Sequence, residues 1–300
     1  MTLATGEVAR RESNLRQLEL AVTRKLDGLL LGEHLAVMRG SGSEAGEGRP
    51  YAPGDDARRI DWSVTARSNE LHVRDTIADR ELETWLVVDA SASLDWGTAA
   101  WEKRDLAVTA AAAFGLLGAK SGNRTGALVF DGAGTQLVPP RAGRDAVMQL
   151  LRRLEMRPRA EERQASLAAA LAQTRAAAKR RGRVVIVSDL IDSGPWPHEL
   201  RTLVARHDVV VAEITDPREW ELPDVGLLML ADPETGRRVE VQTADPKLRA
   251  RFAAAATQRR REHADAIRRS GAAHLALSTD RDWMRDLVVF AATHKGMFRK

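Results

Sequence analysis

Three oxygen-bearing side chains follow a short apolar segment in the first half of the chain. Residues 85–88 have the composition of a β-strand that is covered on both faces. This segment runs directly into Asp89, Ser91 and Ser93, which alternate with alanines. Ligands collect at the carboxyl ends of strands in α/β sheets, so this spacing places one carboxylate and two hydroxyls where a ligand would bind.

A second apolar segment repeats this pattern later in the chain. Residues 183–187 read as a buried strand that ends in Ser188 and Asp189. If the two strands are neighbours, Asp89, Ser91, Ser93 and Asp189 meet at one edge of the sheet. Oxygen donors of this kind bind hard divalent cations, Mg²⁺ with Mn²⁺ or Ca²⁺ as alternatives, rather than zinc or copper. A plainer interpretation is that the two serines only cap the turn and helix that follow.

Strand and helix patterns alternate from residue 71 to residue 298. Strands are predicted at residues 71–77, 85–89, 125–131, 183–189, 208–214 and 274–277, and helices at residues 99–118, 144–154, 166–179, 198–206, 247–270 and 283–298. An edge strand over residues 136–138 is expected to stop at Pro139 and Pro140. The alternation predicts an α/β fold with a doubly wound, mostly parallel sheet.

The same patterns predict the domain organisation. Residues 83–300 are expected to form the α/β domain, with a hairpin insertion near residues 225–242. Residues 1–82 are expected to form an N-terminal extension packed on it, because their apolar content is too thin for a separate core. Within the extension, residues 40–48 are predicted to be a glycine- and serine-rich loop. An apolar stripe at helical spacing predicts one helix or two over residues 8–38, through Leu15, Leu18, Val22, Leu26 and Leu29.

The stretch over residues 49–67 is the densest local signature of the chain. It holds the only tyrosine together with one tryptophan, three aspartates and four arginines. Pro53 and Gly54 favour a turn, and the aspartates that follow favour a cap for a short helix. One interpretation is a buried knot of Asp–Arg pairs under an aromatic lid, because forked Arg–carboxylate pairs fix irregular backbone. The other is a partner-binding surface formed by Asp55, Asp56, Arg58, Asp61, Trp62 and Arg67.

Composition narrows the possible functions. The formal net charge of +4 comes from 46 basic and 42 acidic residues, and aromatic residues make up only 4% of the chain. The internal basic clusters, residues 179–183 and 259–261, lack the aromatic side chains that stack on bases, which disfavours nucleic-acid binding. The absence of cysteine excludes thiolate metal sites. No apolar run is long enough to cross a bilayer and no signal segment is visible, so we expect a cytoplasmic protein that does not bind membranes.

Two motifs resemble known families. The Asp-x-Ser-x-Ser pattern at residues 89–93, with Asp189 after a later strand, resembles the metal-ion-dependent adhesion site of von Willebrand factor A domains. The stretch Tyr-x-Pro-Gly-Asp-Asp-x-Arg-x-Ile-Asp-Trp at residues 51–62, followed by Thr-Ala-Arg at residues 65–67, resembles the bacterial family filed as domain of unknown function 58. Members of that family carry an A-type domain after this signature and are typically linked to MoxR-type AAA+ ATPases. The resemblance implies an adaptor or partner of such an ATPase, in a chaperone-like or complex-assembly role.

The resemblance also implies a set of metal ligands. Asp89 would bind the ion or orient its ligands, Ser91 and Ser93 would ligate through their hydroxyls, and Asp189 would complete the charge. The family pattern expects a threonine before the helix near residue 166, where this chain has Ala165 followed by Ser166. Ser166 or a water molecule would take the missing place. An Asp or Glu of the partner fills the open position, so the implied activity is binding that depends on Mg²⁺ or Mn²⁺, and not catalysis.

Two other functions remain open at this stage. A rim of aspartates formed by Asp89, Asp95, Asp131, Asp189 and Asp192 would suit Mg²⁺-dependent phosphoester hydrolysis. Aspartyl phosphatases usually carry a second aspartate two residues after the first, where this chain has a serine, and no G-x-x-x-x-G-K-[ST] phosphate loop is present. The chain is therefore not expected to be the ATPase itself. The second alternative is nucleic-acid binding through the basic clusters.

Overall fold

A computed structural model of the protein describes residues 45–52, 60–68, 70–76, 82–160, 165–192, 194–233 and 235–294, with the backbone alone for residues 45–49 and 74–76. These residues fall into two structural units, a small one over residues 45–76 and a large one over residues 82–294. The helix predicted over residues 8–38 lies outside the described residues.

The small unit is an antiparallel pair of strands with one helix between them in sequence. Strand β1 (Ala45–Pro50) pairs with strand β2 (His72–Thr76), and helix α1 (Trp62–Ser68) lies between them in the chain. The prediction of a loop over residues 40–48 is wrong for its last part. Pairing with β2 gives these glycine-rich residues the hydrogen bonds of a strand although they show no apolar period.

Helix α1 begins at a capping aspartate. The Oδ1 atom of Asp61 accepts hydrogen bonds from the backbone N–H groups of Ser63 at 3.0 Å and Val64 at 3.3 Å. A carboxylate in this position satisfies N–H groups that have no partner within the first helical turn. Helix α1 therefore starts at Trp62, with Asp61 as its cap.

A six-stranded sheet forms the centre of the large unit. The strands of this unit are β3 (Glu83–Asp89), β4 (Arg124–Asp131), β5 (Gly134–Ala142), β6 (Gly182–Ser188), β7 (Asp208–Thr215), β8 (Leu227–Ala231), β9 (Arg238–Gln242) and β10 (Ala273–Ser278). Six of them pair in the order β10-β7-β6-β3-β4-β5, and every pair is parallel except β4 with β5. The predicted mostly parallel sheet is confirmed.

Helices cover both faces of this sheet. They are α2 (Lys103–Lys120), α3 (Arg144–Glu155), α4 (Leu167–Ala177), α5 (Trp196–Val204), α6 (Pro246–Ser270) and α7 (Trp283–Thr293). On one face, Val87, Ile186 and Val211 share a buried apolar cluster with residues of α4, α5 and α6. On the other face, Phe114 of α2 meets Phe290 of α7 edge-on, with ring centroids 6.4 Å apart. Burial on both faces explains why the central strands read as continuous apolar runs.

The antiparallel edge strand β5 corrects one prediction. The sequence predicts that this strand stops at Pro139 and Pro140, but β5 continues through both prolines to Ala142. An edge strand tolerates proline where the missing N–H would have faced away from the neighbouring strand. Gly126 of β4 makes room for the second ring, since a Cβ there would lie 3.0 Å from Cγ of Pro140.

Strands β8 and β9 occupy the residues predicted to form a hairpin insertion, and they pair antiparallel. Several apolar side chains of this hairpin are exposed, including Leu227 and Met229. In the described ranges, no helix has both the length and the apolar composition needed to cross a membrane.

Replacing Gly182 by alanine should destabilise the large unit. Gly182 begins β6 beside β3, and an added Cβ would lie 2.1 Å from the carbonyl oxygen of Glu83. Because backbone must then move, we expect the free energy of unfolding to fall by about 1–3 kcal/mol in urea denaturation. Gly115→Ala in α2 is the matched control, since its Cβ meets a methyl group of Val147 that can shift. Equal losses in the two variants would contradict this explanation.

Candidate metal and partner site

The carboxyl ends of β3 and β6 lie side by side because the two strands pair in parallel register. Val88 pairs with Val187, so the next residues, Asp89 and Ser188, are neighbours. The hydroxyl of Ser188 donates a hydrogen bond to Asp89 Oδ2 at 2.6 Å, and the backbone N–H of Ser91 donates to Asp89 Oδ1 at 3.0 Å. Asp89 is only 6% exposed. The structure thus brings together the two strand ends that the sequence predicts to meet.

Ser91 and Ser93 lie directly beyond Asp89, where the chain leaves the sheet. A 3₁₀ turn at Ala92–Leu94 brings the two hydroxyl oxygens to 3.0 Å from each other, and both serines are buried. Within the described residues, the Ser91 side chain makes no capping hydrogen bond to this turn. The interpretation of Ser91 as only a cap is therefore wrong. We refer to Asp89, Ser91 and Ser93 as the Asp89 cluster.

Asp189 is held by a buried lysine that sequence analysis missed. Lys103, the first residue of α2, has no exposed surface. Its Nζ atom donates to Asp189 Oδ2 at 2.7 Å and to Glu219 Oε1 at 2.6 Å, and it lies 5.4 Å from the ring centroid of Trp96. Asp189 Oδ1 accepts a hydrogen bond from the backbone N–H of Ile191 at 3.1 Å. Both carboxylate oxygens of Asp189 are engaged inside the protein.

Burial and charge determine the protonation of these groups. Burial, and then the negative charge of Asp189, raise the pKa of Asp89 to about 7, although hydrogen bonds from Ser188 and Ser91 lower it. Burial lowers the pKa of Lys103, but the charges of Asp189 and Glu219 more than reverse this, so its pKa is raised. With Asp89 ionised, Asp89, Asp189 and Glu219 carry three negative charges against the one positive charge of Lys103. A divalent cation would balance the two remaining negative charges.

The chain turns sharply after Asp189. Leu190 has a φ of 60°, a left-handed conformation that a branched apolar residue rarely adopts. Its side chain is buried, and its N–H donates to the hydroxyl of Ser188 at 3.0 Å, so packing and hydrogen bonding hold the turn. The turn lets Asp189 face Lys103 while Asp192 reaches the start of α4. Backbone strain of this kind is concentrated at functional sites.

The other aspartates of the predicted rim have partners of their own. Each accepts a hydrogen bond from an arginine or from the backbone: Asp95 from Arg104, Asp131 from Arg157, and Asp192 from the N–H of Leu167. These contacts give the three carboxylates structural roles. They leave less of the acidic rim for the metal cluster that phosphoester hydrolysis would need.

Ser166, predicted as a further ligand, caps the helix that follows it. Its hydroxyl accepts a hydrogen bond from the N–H of Ala169 at 3.3 Å at the start of α4, and the residue is exposed. Ala165, where the family pattern expects threonine, is 7% exposed and packs in the apolar cluster beneath the sheet. The hydroxyl next to the missing threonine is thus engaged with the helix.

A small cavity lies beside Asp89. Its volume is about 20 Å³, enough for one water-sized occupant, and the polar residues that line it are Asp89, Ser91, Asp95, Arg104 and Arg157. In the part of the chain that the structure describes, no three His, Asp or Glu side chains are grouped to hold a metal ion. The Asp89 cluster still fits a hard divalent cation, because carboxylate and hydroxyl oxygens completed by water are the ligands that such ions prefer.

The signature stretch is described only in part. Asp55, Asp56 and Arg58 lie outside the described residues. Trp62 is 68% exposed and Arg67 is exposed, so the interpretation of this stretch as a buried knot under an aromatic lid is wrong for the tryptophan. Trp62 is the first residue of α1, whose first turn is capped by the Asp61 carboxylate at 3.0 Å from the N–H of Ser63.

A further buried aspartate connects the site to the next strand. Asp216, which has no exposed surface, follows β7 and accepts hydrogen bonds from the N–H of Thr98 at 2.8 Å and the hydroxyl of Thr279 at 2.6 Å. It therefore holds the loop that follows Ser93. The signal for it was present in the sequence, since an aspartate directly after a buried strand repeats the pattern of Asp89 and Asp189. Lys103 has no such signal.

Comparison with known protein families decides what kind of chain this is. The family model described as "Protein of unknown function DUF58" matches residues 47–262. The chain belongs to the DUF58 family. This confirms the family predicted from the signature at residues 51–67.

Curated relatives of this DUF58 protein occur in mycobacteria. The uncharacterized protein Rv1480 of Mycobacterium tuberculosis is 51% identical over 282 residues, which cover 94% of this chain and 89% of the relative. The uncharacterized protein MAV169 of Mycobacterium avium is 42% identical over 159 residues, which cover 53% of this chain and 94% of the relative.

Solved structures resemble this DUF58 protein in fold. The conserved hypothetical protein BatB from Bacteroides thetaiotaomicron has a TM-score of 0.45 at 11% identity, with 72% of this chain and 99% of that chain covered. The von Willebrand factor type A protein from Catenulispora acidiphila has a TM-score of 0.36 at 13% identity, with 72% and 43% covered. These similarities concern the fold alone. Von Willebrand factor A domains are thus among the structures that this DUF58 protein is similar to.

Asp89 should make the metal-free protein less stable as the pH rises. The pKa of Asp89 is raised from 3.8 to about 7 by folding, so between these values the folded protein holds a proton that the unfolded chain has released. The stability contributed by this proton is present at low pH and is lost as the pH rises to about 7. Asp89→Asn cannot ionise and should escape this loss.

The measurement compares urea denaturation of the wild type and Asp89→Asn in EDTA. From about pH 5 to about pH 8, the stability of the variant relative to the wild type should grow by on the order of a few kcal/mol. The comparison cancels titrating groups that both proteins share. A difference that stays constant or shrinks over this range would contradict the raised pKa.

Proposed function

We propose that this DUF58 protein binds a protein partner through a divalent cation held at the Asp89 cluster. The observation that carries the proposal is the buried carboxylate pair at the sheet edge. Asp89 is 6% exposed and lies close enough to Asp189 for its charge to help raise the pKa of Asp89 to about 7. A buried carboxylate is costly unless it is paired or coordinates a cation. A cation at Asp89 removes this cost, and two buried hydroxyls supply further oxygen donors.

The chemistry of the cluster supports binding rather than catalysis. A bound Mg²⁺, Mn²⁺ or Ca²⁺ supplies a positive centre that takes about six or more oxygen ligands. Asp89, Ser91 and Ser93 provide fewer than that number, so positions are left for water and for an Asp or Glu side chain of the partner. The residues of this chain bind and orient the ion at the end of rigid strands, and the partner completes it.

We further propose that the partner is a MoxR-type AAA+ ATPase and that the pair works in complex assembly in the cytoplasm. Support comes from membership of the DUF58 family. The resemblance of the signature at residues 51–67 to that family implies a link to such ATPases. The chain has no G-x-x-x-x-G-K-[ST] phosphate loop, so ATP hydrolysis would belong to the partner. The signature residues Asp55, Asp56, Arg58, Asp61, Trp62 and Arg67 are proposed as a second contact surface.

Binding to the ATPase should require the divalent ion and the Asp89 cluster. In biolayer interferometry with the purified MoxR-type ATPase of the same organism, we expect binding in Mg²⁺ that is lost in EDTA. Asp89→Asn removes one carboxylate oxygen and Ser93→Ala removes one hydroxyl from the ligands of the ion. Each should weaken binding to the ATPase by at least about tenfold, which corresponds to roughly 1.4 kcal/mol.

Ser166→Ala is the matched control for Ser93→Ala. Its hydroxyl caps α4, so binding to the ATPase should stay close to that of the wild type. Binding to the ATPase that persists in EDTA, or that is equally strong in Asp89→Asn and Ser93→Ala, would contradict the proposal. Mg²⁺-dependent turnover of p-nitrophenyl phosphate by the pure protein, abolished in Asp89→Asn, would instead favour the hydrolase alternative.

Trp62→Ala should weaken the partner contact without unfolding the protein. Exposed tryptophans are frequent energetic centres of interfaces, and truncating one typically costs about 2 kcal/mol or more. Because Trp62 is 68% exposed, its removal should leave the thermal unfolding midpoint nearly unchanged. The comparison variant is Trp196→Ala, which removes a buried tryptophan and should lower the midpoint. An unchanged affinity for the ATPase in Trp62→Ala would remove the signature from the proposed interface.

A further inference from the structure

Lys103 is a buried cation that belongs to none of the roles described so far. It has no exposed surface, and its ammonium lies between the carboxylates of Asp189 at 2.7 Å and Glu219 at 2.6 Å. Burying a lysine is costly unless its charge is paired. Here the start of α2, the end of β6 and the turn after β7 each bring one of these three groups to the same point.

We propose that Lys103 is a tethered cation that keeps Asp189 out of the ligand shell of the metal and so leaves an ion at the Asp89 cluster able to accept a carboxylate from an acidic partner segment. This inference rests on the proposed function and deepens it. Lys103 acts as a positioning residue, because it works through Asp189 and does not touch the ion.

The contacts of Asp189 support this division of the site. One of its oxygens accepts from Lys103 and the other from the backbone N–H of Ile191 at 3.1 Å. The buried, left-handed Leu190 holds this arrangement in place. Asp189 therefore acts on Asp89 through its charge, whereas Asp89 and Ser91 line the small cavity and Asp189 does not.

The charges explain why such a lysine would serve a partner site. With Asp89 ionised, the groups Asp89, Asp189, Glu219 and Lys103 carry two negative charges, which a divalent ion balances. An incoming carboxylate then meets no net repulsion. Without the ammonium, the same ion would lie among three carboxylates and one negative charge would remain. Such a site would hold the ion more tightly and repel an acidic partner.

Lys103→Met tests this with two readouts that should move in opposite directions. Methionine keeps an unbranched chain but removes the charge. In calorimetric titration with Mg²⁺ alone, the dissociation constant should fall by at least about tenfold, because two carboxylates become available. In saturating Mg²⁺, affinity for the ATPase should fall by at least about tenfold. A purely structural lysine would not tighten ion binding.

Two controls isolate the charge. Lys103→Arg keeps the positive charge and should bind Mg²⁺ like the wild type. Lys120→Met makes the same substitution at an exposed lysine at the other end of α2 and should change neither readout. Mg²⁺ binding by folded Lys103→Met that is equal to or weaker than that of the wild type would overturn the inference.

Asp189→Asn tests the inference if Lys103→Met does not fold. Asparagine keeps the shape of the aspartate side chain. The loss of Mg²⁺ affinity in Asp189→Asn should be at least about tenfold smaller than the loss in Asp89→Asn. Equal losses would mean that Asp189 is a ligand and would overturn the inference. These titrations contain no partner, so they test the inference about Lys103 separately from the proposed function. If wild-type binding to the ATPase survives EDTA, the proposed function is contradicted but the result of the Mg²⁺ titrations is not.

Discussion

The parallel register of β3 with β6 is the constraint on which the site depends. It places Asp89 beside Ser188, a residue 99 positions away in the chain. Both strands are buried on both faces, and a shift by one residue would move every side chain to the opposite face. The packing of the core therefore also sets the position of the carboxylate. Gly182, which lets the two backbones approach at the beginning of the pair, belongs to the same constraint.

From that register the electrostatics of the large unit follow. Two acidic residues reach the same sheet edge, and a third, Glu219, joins them from the turn after β7. In a buried region such charges interact strongly because little water screens them. The ammonium of Lys103 at the start of α2 balances part of this charge, and a hydroxyl and a backbone N–H donate hydrogen bonds to Asp89. The result is a site whose charged groups are hydrogen-bonded but whose net charge is still negative when Asp89 is ionised.

Sequence patterns predicted the parts of this structure that depend on local chemistry. Apolar runs marked the buried strands, and aspartates after two of them marked the convergence at Asp89 and Asp189. The signature at residues 51–67 marked the family. These features are readable because each is contained in a short stretch of chain. The same rule, applied to β7, would also have found Asp216.

The features that were missed depend on contacts between distant elements. Lys103 looks like any lysine at the start of a helix until Asp189 and Glu219 close around it. Strand β1 exists because β2 pairs with it, and the exposure of Trp62 could not be read from its neighbours in sequence. In the same way, β5 passes through two prolines because a glycine on β4 leaves room for a ring.

Those two prolines have a consequence for how this protein meets others. An edge strand normally offers a row of backbone donors on which a foreign strand can dock and extend the sheet, which is a common route to aggregation. Adjacent residues of a strand point their N–H groups to opposite sides, so one of the two prolines removes a donor from the open edge of β5, and a strand laid against it would lose one rung of its ladder. The prolines thus make this part of the β5 edge a poorer template for a foreign strand.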